Sequence, residues 1–163
     1  MTQAQVPTGT AMTRHARLLA WVDEIVEVDS FSTDHTVELA RRYTDTVAQR
    51  QWPGHVLQKQ FALEQATGDW IISLDADEEL SPEAAAEIKS VLAAAPADVN
   101  GYSFPRQSFY LGRWIKHGGW YPDRKVRLVR RGHARWGGED PHDKLMADGH
   151  TRDLRGKINH FVY

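Results

Sequence analysis

Trp70-Ile71-Ile72-Ser73-Leu74-Asp75-Ala76-Asp77-Glu78 runs from an apolar, strand-forming stretch straight into carboxylates, just after Thr67-Gly68-Asp69. A buried strand that ends in Asp-x-Asp holds two oxygen ligands at the carboxyl edge of a sheet, the edge at which open α/β sheets bind ligands. Hard cations such as Mg²⁺ take carboxylate oxygens together with phosphate oxygens of a substrate. The segment therefore suggests a site for a metal ion and a diphosphate. Asp-x-Asp by itself is common in surface loops. Its weight here comes from Ile71, Ile72 and Leu74, which place Asp75 at the end of a buried strand, where neighbouring like charges are costly unless a cation offsets them.

Outward from this strand the chain alternates. Glu24 to Asp29 reads as a strand that ends at an acid. Ser30 to Asp34 forms a turn with Ser32 or Thr33 as helix cap, and Val37, Leu39, Ala40 and Tyr43 suit a helix of about three turns. Thr46 to Ala48 reads as a short strand. Val56 to Ala66 has helical spacing, with Leu57, Phe61 and Ala62 on its buried side and Gly68 as its left-handed stop. Ser81-Pro82-Glu83 opens a helix that runs to Ala95 and ends at Pro96. A further short helix is expected over Arg14 to Trp21, after a loose terminus. The alternation implies a parallel sheet with right-handed crossovers. After Asn100 it gives way to short strands at Gly101–Arg106, Lys125–Arg131, Asp143–Ala147 and Lys157–Tyr163. One domain over 1–163 is expected, with an α/β half over 14–100 and a mixed half over 101–163.

Composition narrows the chemistry. At 163 residues without cysteine, the chain has room for a core and no disulfide, thiolate metal site or cysteine nucleophile. No apolar run approaches the roughly 20 residues of a membrane span, and Met1 to Met12 lacks the apolar core of a signal peptide, so a cytoplasmic location is expected. Net charge is −2, yet Arg113 to Arg135 holds eight cations and one acid, Asp123, interleaved with Trp114, Trp120 and Tyr121. This suits an anionic substrate or an anionic membrane surface, although a solvated basic face is the commoner case. The mild overall acidity and the lack of a recognition module speak against nucleic acid.

Other candidates follow from local chemistry. Asp29 and Asp34, with Ser32 between them, are ordinary turn residues that also suit the donors of a ribose or base. Lys59 can reach an oxygen of the nucleotide from its helix. In His117-Gly118-Gly119-Trp120-Tyr121-Pro122-Asp123 two glycines permit close approach and the aromatic faces offer sugar platforms. Arg124 and Arg127 have the fork geometry for phosphate oxygens. Glu139, Asp140 and Asp143 gather near His142, and a carboxylate there can take a proton from an attacking hydroxyl.

In their order these pieces resemble family 2 glycosyltransferases of the GT-A fold, most closely the bacterial lipopolysaccharide-core β-1,4-glucosyltransferase branch. The resemblance rests on Val28-Asp29-Ser30-Phe31-Ser32-Thr33-Asp34, Gln58-Lys59-Gln60, Leu74-Asp75-Ala76-Asp77-Glu78, the His117–Asp123 loop and Pro141-His142-Asp143-Lys144-Leu145, and spans about Trp21 to Tyr163. It implies an α/β fold with a mainly parallel central sheet flanked by helices. It also implies inverting transfer of a sugar, glucose by analogy, from UDP-glucose to a lipopolysaccharide-core or other anionic glycolipid acceptor, with peripheral contact at the inner face of the plasma membrane. Asp29, Ser32, Asp34, Lys59, Asp75, Ala76 and Asp77 would hold the nucleotide sugar, and Asp75 and Asp77 a Mg²⁺ or Mn²⁺ ion. His117, Trp120, Tyr121, Asp123, Arg124 and Arg127 would serve acceptor or phosphate. Asp143, where the branch carries Glu, would be the base, with Glu139 and Asp140 as alternates. Family members begin with an apolar strand and extend beyond the position of Tyr163. Met1 to Arg14 shows no such strand, so a chain lacking its first strand and its tail is expected. The competing expectations are a sugar-nucleotide-binding fragment of impaired turnover and a nucleotidyltransferase, the latter lacking its glycine-rich phosphate loop.

Overall fold

The computed structural model describes residues 3–4, 21–75, 77–94 and 96–162. The expected helix over Arg14 to Trp21 falls outside these residues apart from Trp21, and so does Ala76. The elements are β1 (Gln3–Ala4), β2 (Glu27–Asp29), α1 (Thr36–Ala40), β3 (Val47–Gln49), α2 (His55–Gln65), β4 (Trp70–Leu74), β5 (Glu78–Leu80) and α3 (Pro82–Ala94). Then come β6 (Val99–Tyr110), β7 (Arg113–Trp114), a 3₁₀ turn (Gly118–Trp120), β8 (Asp123–Arg130), β9 (Ala134–Glu139), β10 (His142–Ala147), β11 (His150–Asp153) and β12 (Ile158–Phe161).

The main sheet has the order β1-β4-β8-β6-β12-β5, with β7 and β11 also on β6. β1 lies parallel to β4 through Gln3↔Ser73 and Ala4↔Leu74, so the place expected to lack a strand carries a two-residue one. Parallel pairing of the early half is seen in β1/β4 and in β2/β3, which form a separate pair. The centre of the sheet departs from the expected parallel arrangement. β8 lies antiparallel to both β4 and β6. The chain leaves β6 and returns through β7 and a short turn rather than through a helix, and a short return enforces an antiparallel neighbour.

Alternation along the strands splits the core in two. Trp70, Ile72 and Leu74 face α3 with Leu80, Ile88, Phe104 and Leu128. Ile71 faces the other way, with Ala62 and Leu63 of α2, Val28, Val129, Trp136 and Leu145. Ser81 Oγ accepts from the Ala84 amide at 3.1 Å and so caps α3 as its sequence predicts.

Three local expectations are corrected. α1 is a five-residue helix entered at His35 without a side-chain cap; Asp34, not Ser32 or Thr33, accepts from the Thr36 amide. It ends after Ala40 in tight turns, with Tyr43 N bonded to Ala40 O. α2 ends at Ala66 in extended backbone, so Gly68 is not its stop. Its buried face carries Gln58, Lys59, Ala62 and Leu63, while Leu57 faces solvent. Ala134–Glu139, where no strand was expected, is β9, which pairs with β10 in a hairpin.

Candidate active site

The two-residue period of β4 decides where Asp75 points. Ile71 lies on the α2 side of the sheet, so Ser73 and Asp75 share that side. On β8, Arg127 shares a face with Val129, which packs there too. On α2, Lys59 precedes Ala62 and Leu63 by one turn. Hence β4, β8 and α2 deliver Asp75, Arg127 and Lys59 to one place, floored by Trp136 of β9.

The contacts are close. Lys59 Nζ lies 2.6 Å from Asp75 Oδ1 and 2.7 Å from Asp143 Oδ2, and is almost wholly buried. Arg127 reaches Asp75 Oδ2 at 3.0 Å and grips Glu78 through two bonds of 2.9 Å. Both cations lie over the Trp136 ring, with Lys59 Nζ at 4.7 Å and the Arg127 guanidinium carbon at 5.4 Å from its centroid. Glu78 also meets Arg106 at 3.4 Å; Arg106 holds Asp123 at 2.6 Å, and Asp123 meets Lys125 at 3.1 Å. Asp143, Lys59, Asp75, Arg127, Glu78, Arg106, Asp123 and Lys125 thus form one row of alternating charge. Burial opposes ionisation of Glu78, but Arg127 and Arg106 outweigh it and pull its pKa down to about 2. Arg127 is likewise buried, which opposes its charge, but Glu78 and Asp75 outweigh this and raise its pKa.

Asp29 ends β2 in a second cluster. It accepts from the Ser32 amide at 3.0 Å and from Gln49 Nε2 at 3.0 Å. Burial works against its charge, and the bonds from Ser32 and Gln49 prevail, lowering its pKa. Gln58 of α2 donates to Ser30 Oγ at 3.1 Å, which ties this loop to the helix beside Lys59. Ser32 and Asp34 stay exposed on the loop.

The remaining candidates divide. Asp140 accepts from the amides of His55 and Val56, both at 3.0 Å, and so caps α2 from across the chain. Glu139 is exposed at the end of β9. The guanidinium groups read as phosphate forks have internal partners instead: Arg127 as above, and Arg124 on Ser103, the Leu154 carbonyl and Asp153. Arg127 is buried and Arg124 exposed, and both are engaged by oxygens of this chain. His117 and Trp120 are exposed, and Tyr121 faces Lys157 at 5.7 Å. Asp77 is partly exposed, and its Oδ2 lies 3.2 Å from His160 Nε2. Sequence reasoning missed Trp136, Glu78, Arg106 and His160. Period-2 spacing in β9, which buries Trp136 between Arg135 and Gly137, is the signal that was available for the first.

Among the described residues no three His, Asp or Glu side chains form a metal cluster. The donor set still fits a hard cation that takes the rest of its ligands from a diphosphate. Asp77 is accessible for this. Asp75, with both oxygens on cations, fits only in exchange for a contact to Lys59 or Arg127.

Gly54, at φ 110°, precedes α2, and a Cβ there would overlap the Asp140 carboxylate. Asp140→Ala is expected to lower stability by about 1–2 kcal/mol through loss of the cap. Gly54→Ala should cost at least as much, from the strained backbone and the displaced carboxylate. In the double variant the clash disappears, so urea melts should show a loss smaller than the sum. Strict additivity would show that the two residues do not act through one another.

A family model described as glycosyl transferase family 2 matches residues 15–151. The lipopolysaccharide core biosynthesis glycosyltransferase LpsC of Rhizobium meliloti (strain 1021) is 34% identical over 145 residues, 85% of this chain and 53% of LpsC. An uncharacterized glycosyltransferase of Rickettsia felis is 46% identical over 77 residues, 47% of this chain and 27% of that protein. The chain therefore spans about half the length of LpsC. Among solved structures, TarS of S. aureus superposes with a TM-score of 0.64 over 99% of this chain and 36% of TarS, at 16% identity. The mannosyltransferase PcManGT of Pyrobaculum calidifontis, in complex with GDP-Man and Mn²⁺, gives 0.50 over 63% of this chain and 34% of its own, at 25% identity.

Proposed function

The chain belongs to glycosyl transferase family 2 and has the GT-A fold, and from that premise we propose that it transfers a sugar from a nucleotide diphosphate donor, UDP-glucose in the reading we favour, to a lipopolysaccharide-core or related anionic glycolipid acceptor. The observation that carries the proposal is the single Lys59 ammonium shared by Asp75 at the end of β4 and Asp143 on β10. It sets a donor-side carboxylate and a candidate base beside each other, as a displacement at one anomeric carbon requires.

In this reading Asp29, Ser32, Asp34 and Lys59 face the nucleotide, and Asp77 and Asp75 hold the cation, with Ala76 between them. A bound Mg²⁺ or Mn²⁺ ion would supply Lewis-acid stabilisation to the departing diphosphate. Asp143 takes the acceptor hydroxyl proton as the acceptor oxygen bonds to the anomeric carbon and the bond from that carbon to the diphosphate oxygen breaks, with inversion. His117, Trp120, Tyr121 and Asp123 lie on the acceptor side. The donor half is 14–100 and the acceptor half 101–163, working at the cytoplasmic side of a membrane.

Support comes from the relatives. LpsC is named for lipopolysaccharide core biosynthesis, PcManGT holds GDP-Man and Mn²⁺, and a TarS structure holds UDP-GlcNAc. Isothermal titration with UDP is expected to show binding that requires Mn²⁺ and weakens at least tenfold in Asp77→Ala, one lost ligand being worth that or more. UDP binding unchanged by both Mn²⁺ removal and Asp77→Ala would overturn the metal assignment. Binding without transfer to any glycolipid would favour a nucleotide-sugar-binding module over an enzyme.

A further inference from the structure

We propose that the β6–β7 hairpin, with the neighbouring 3₁₀ turn, is a docking surface for an anionic lipid bilayer, and that Leu111 is its inserting tip. The inference goes beyond the transfer reaction and does not depend on it.

Tyr110 and Arg113 pair across the hairpin, and Leu111-Gly112 forms its two-residue turn. Both turn residues have positive φ, 48° and 78°. Such turns favour Asn, Asp or Gly, because a branched apolar side chain gains nothing in the left-handed region. Leu111 nevertheless occupies the first position and is 76% exposed. It is therefore unfavourable twice over in water, in backbone conformation and in hydration. A hydrocarbon boundary would return the hydration term.

Its surroundings complete the chemistry of an interface. Tyr110 and Trp120 are 40% and 51% exposed, and their rings lie 5.8 Å apart. Aromatic side chains with a polar end concentrate where apolar and aqueous phases meet. Arg113 and Lys116 are exposed beside them, and no acid occurs between Arg106 and Pro122. Cations flanking an apolar tip match the negative potential of anionic headgroups. A sugar-stacking platform would use the two aromatic faces, but it would give Leu111 and the cations no role.

The test is sedimentation of the full chain with vesicles of phosphatidylcholine alone or mixed with phosphatidylglycerol. The protein is expected to sediment with the mixed vesicles and to be released by salt. Leu111→Asn suits the turn, so its melting temperature should equal or exceed that of the parent, while vesicle affinity falls about tenfold. Arg113→Ser with Lys116→Ser should weaken binding to the mixed vesicles about 25-fold, at roughly fivefold per cation. Failure of the parent chain to sediment with either vesicle, or equal sedimentation of Leu111→Asn, would overturn the proposal. So would quenching of tryptophan fluorescence by soluble glycans when vesicles cause none. No donor or turnover enters the assay, so a failed transfer reaction leaves this result intact, and the converse holds.

Discussion

Asp143→Asn is expected to reduce sugar transfer by about 10²–10⁴-fold while leaving UDP affinity within about threefold of the parent. The amide keeps the size of the carboxylate and loses the ability to take a proton. The Lys59 ammonium retains Asp75 at 2.6 Å, so the donor side stays assembled. Glu139→Gln, at an exposed hairpin end, should transfer at nearly the parental rate. Asp140→Asn should act through the α2 cap, lowering the melting temperature more than the rate constant. Single-turnover kinetics with a glycolipid acceptor, beside a UDP titration, separate these outcomes. Full activity in Asp143→Asn together with a large loss in Glu139→Gln would move the base by four residues along the same hairpin.

The second large effect is on folding. Glu78→Gln is expected to cost about 3–5 kcal/mol, because it removes the buried carboxylate that pairs with the buried Arg127 charge. Glu78 is fully buried, accepts both arms of Arg127 and also receives the Asp75 amide at 3.1 Å. The same residue sets an acid limit. Its folded-state pKa, about 2, lies below the ordinary value of 4.5. Between those values the unfolded chain binds the extra proton. The contribution is therefore complete above about pH 4.5 and is lost as pH falls toward 2, amounting to about 3 kcal/mol at 1.36 kcal/mol per unit. Asp29 and Asp123, also lowered, act in the same direction. Urea melts from pH 6 to pH 2.5, read as roughly this loss for the parent, should give a flatter profile for Glu78→Gln. Parallel profiles would show that Glu78 is not the group responsible.

What could be read from the chain alone was local. The buried strand Trp70–Leu74, the Ser81 cap and the alternation of early elements are each written in neighbouring residues. The antiparallel insertion of β8 is not, because strand direction depends on how the chain returns from β6. The site followed the same division. Asp75 and Asp77 announce themselves by following a buried strand. The partners of Asp75 lie on α2 and β8, and Asp143 meets Lys59 across 84 residues of sequence. No local pattern encodes such pairs. One signal was nevertheless present: helical spacing aligns Lys59 with Ala62, Leu63 and Ala66, and a lysine on an otherwise apolar stripe is unusual enough to ask what it neutralises. Arg127 carried a similar mark, set in phase with Val129 on a strand with a buried face.

The alternating row from Asp143 to Lys125 also constrains how this protein can diverge. Removing any interior member leaves its two neighbours, which share a sign, facing one another without an intermediary. Loss of Lys59 sets Asp75 against Asp143, and loss of Arg127 sets Asp75 against Glu78. A lone charge change is therefore a dead end, whereas simultaneous replacement of two adjacent members by apolar residues is a passable route. Descendants of this fold should inherit or discard these residues in couples.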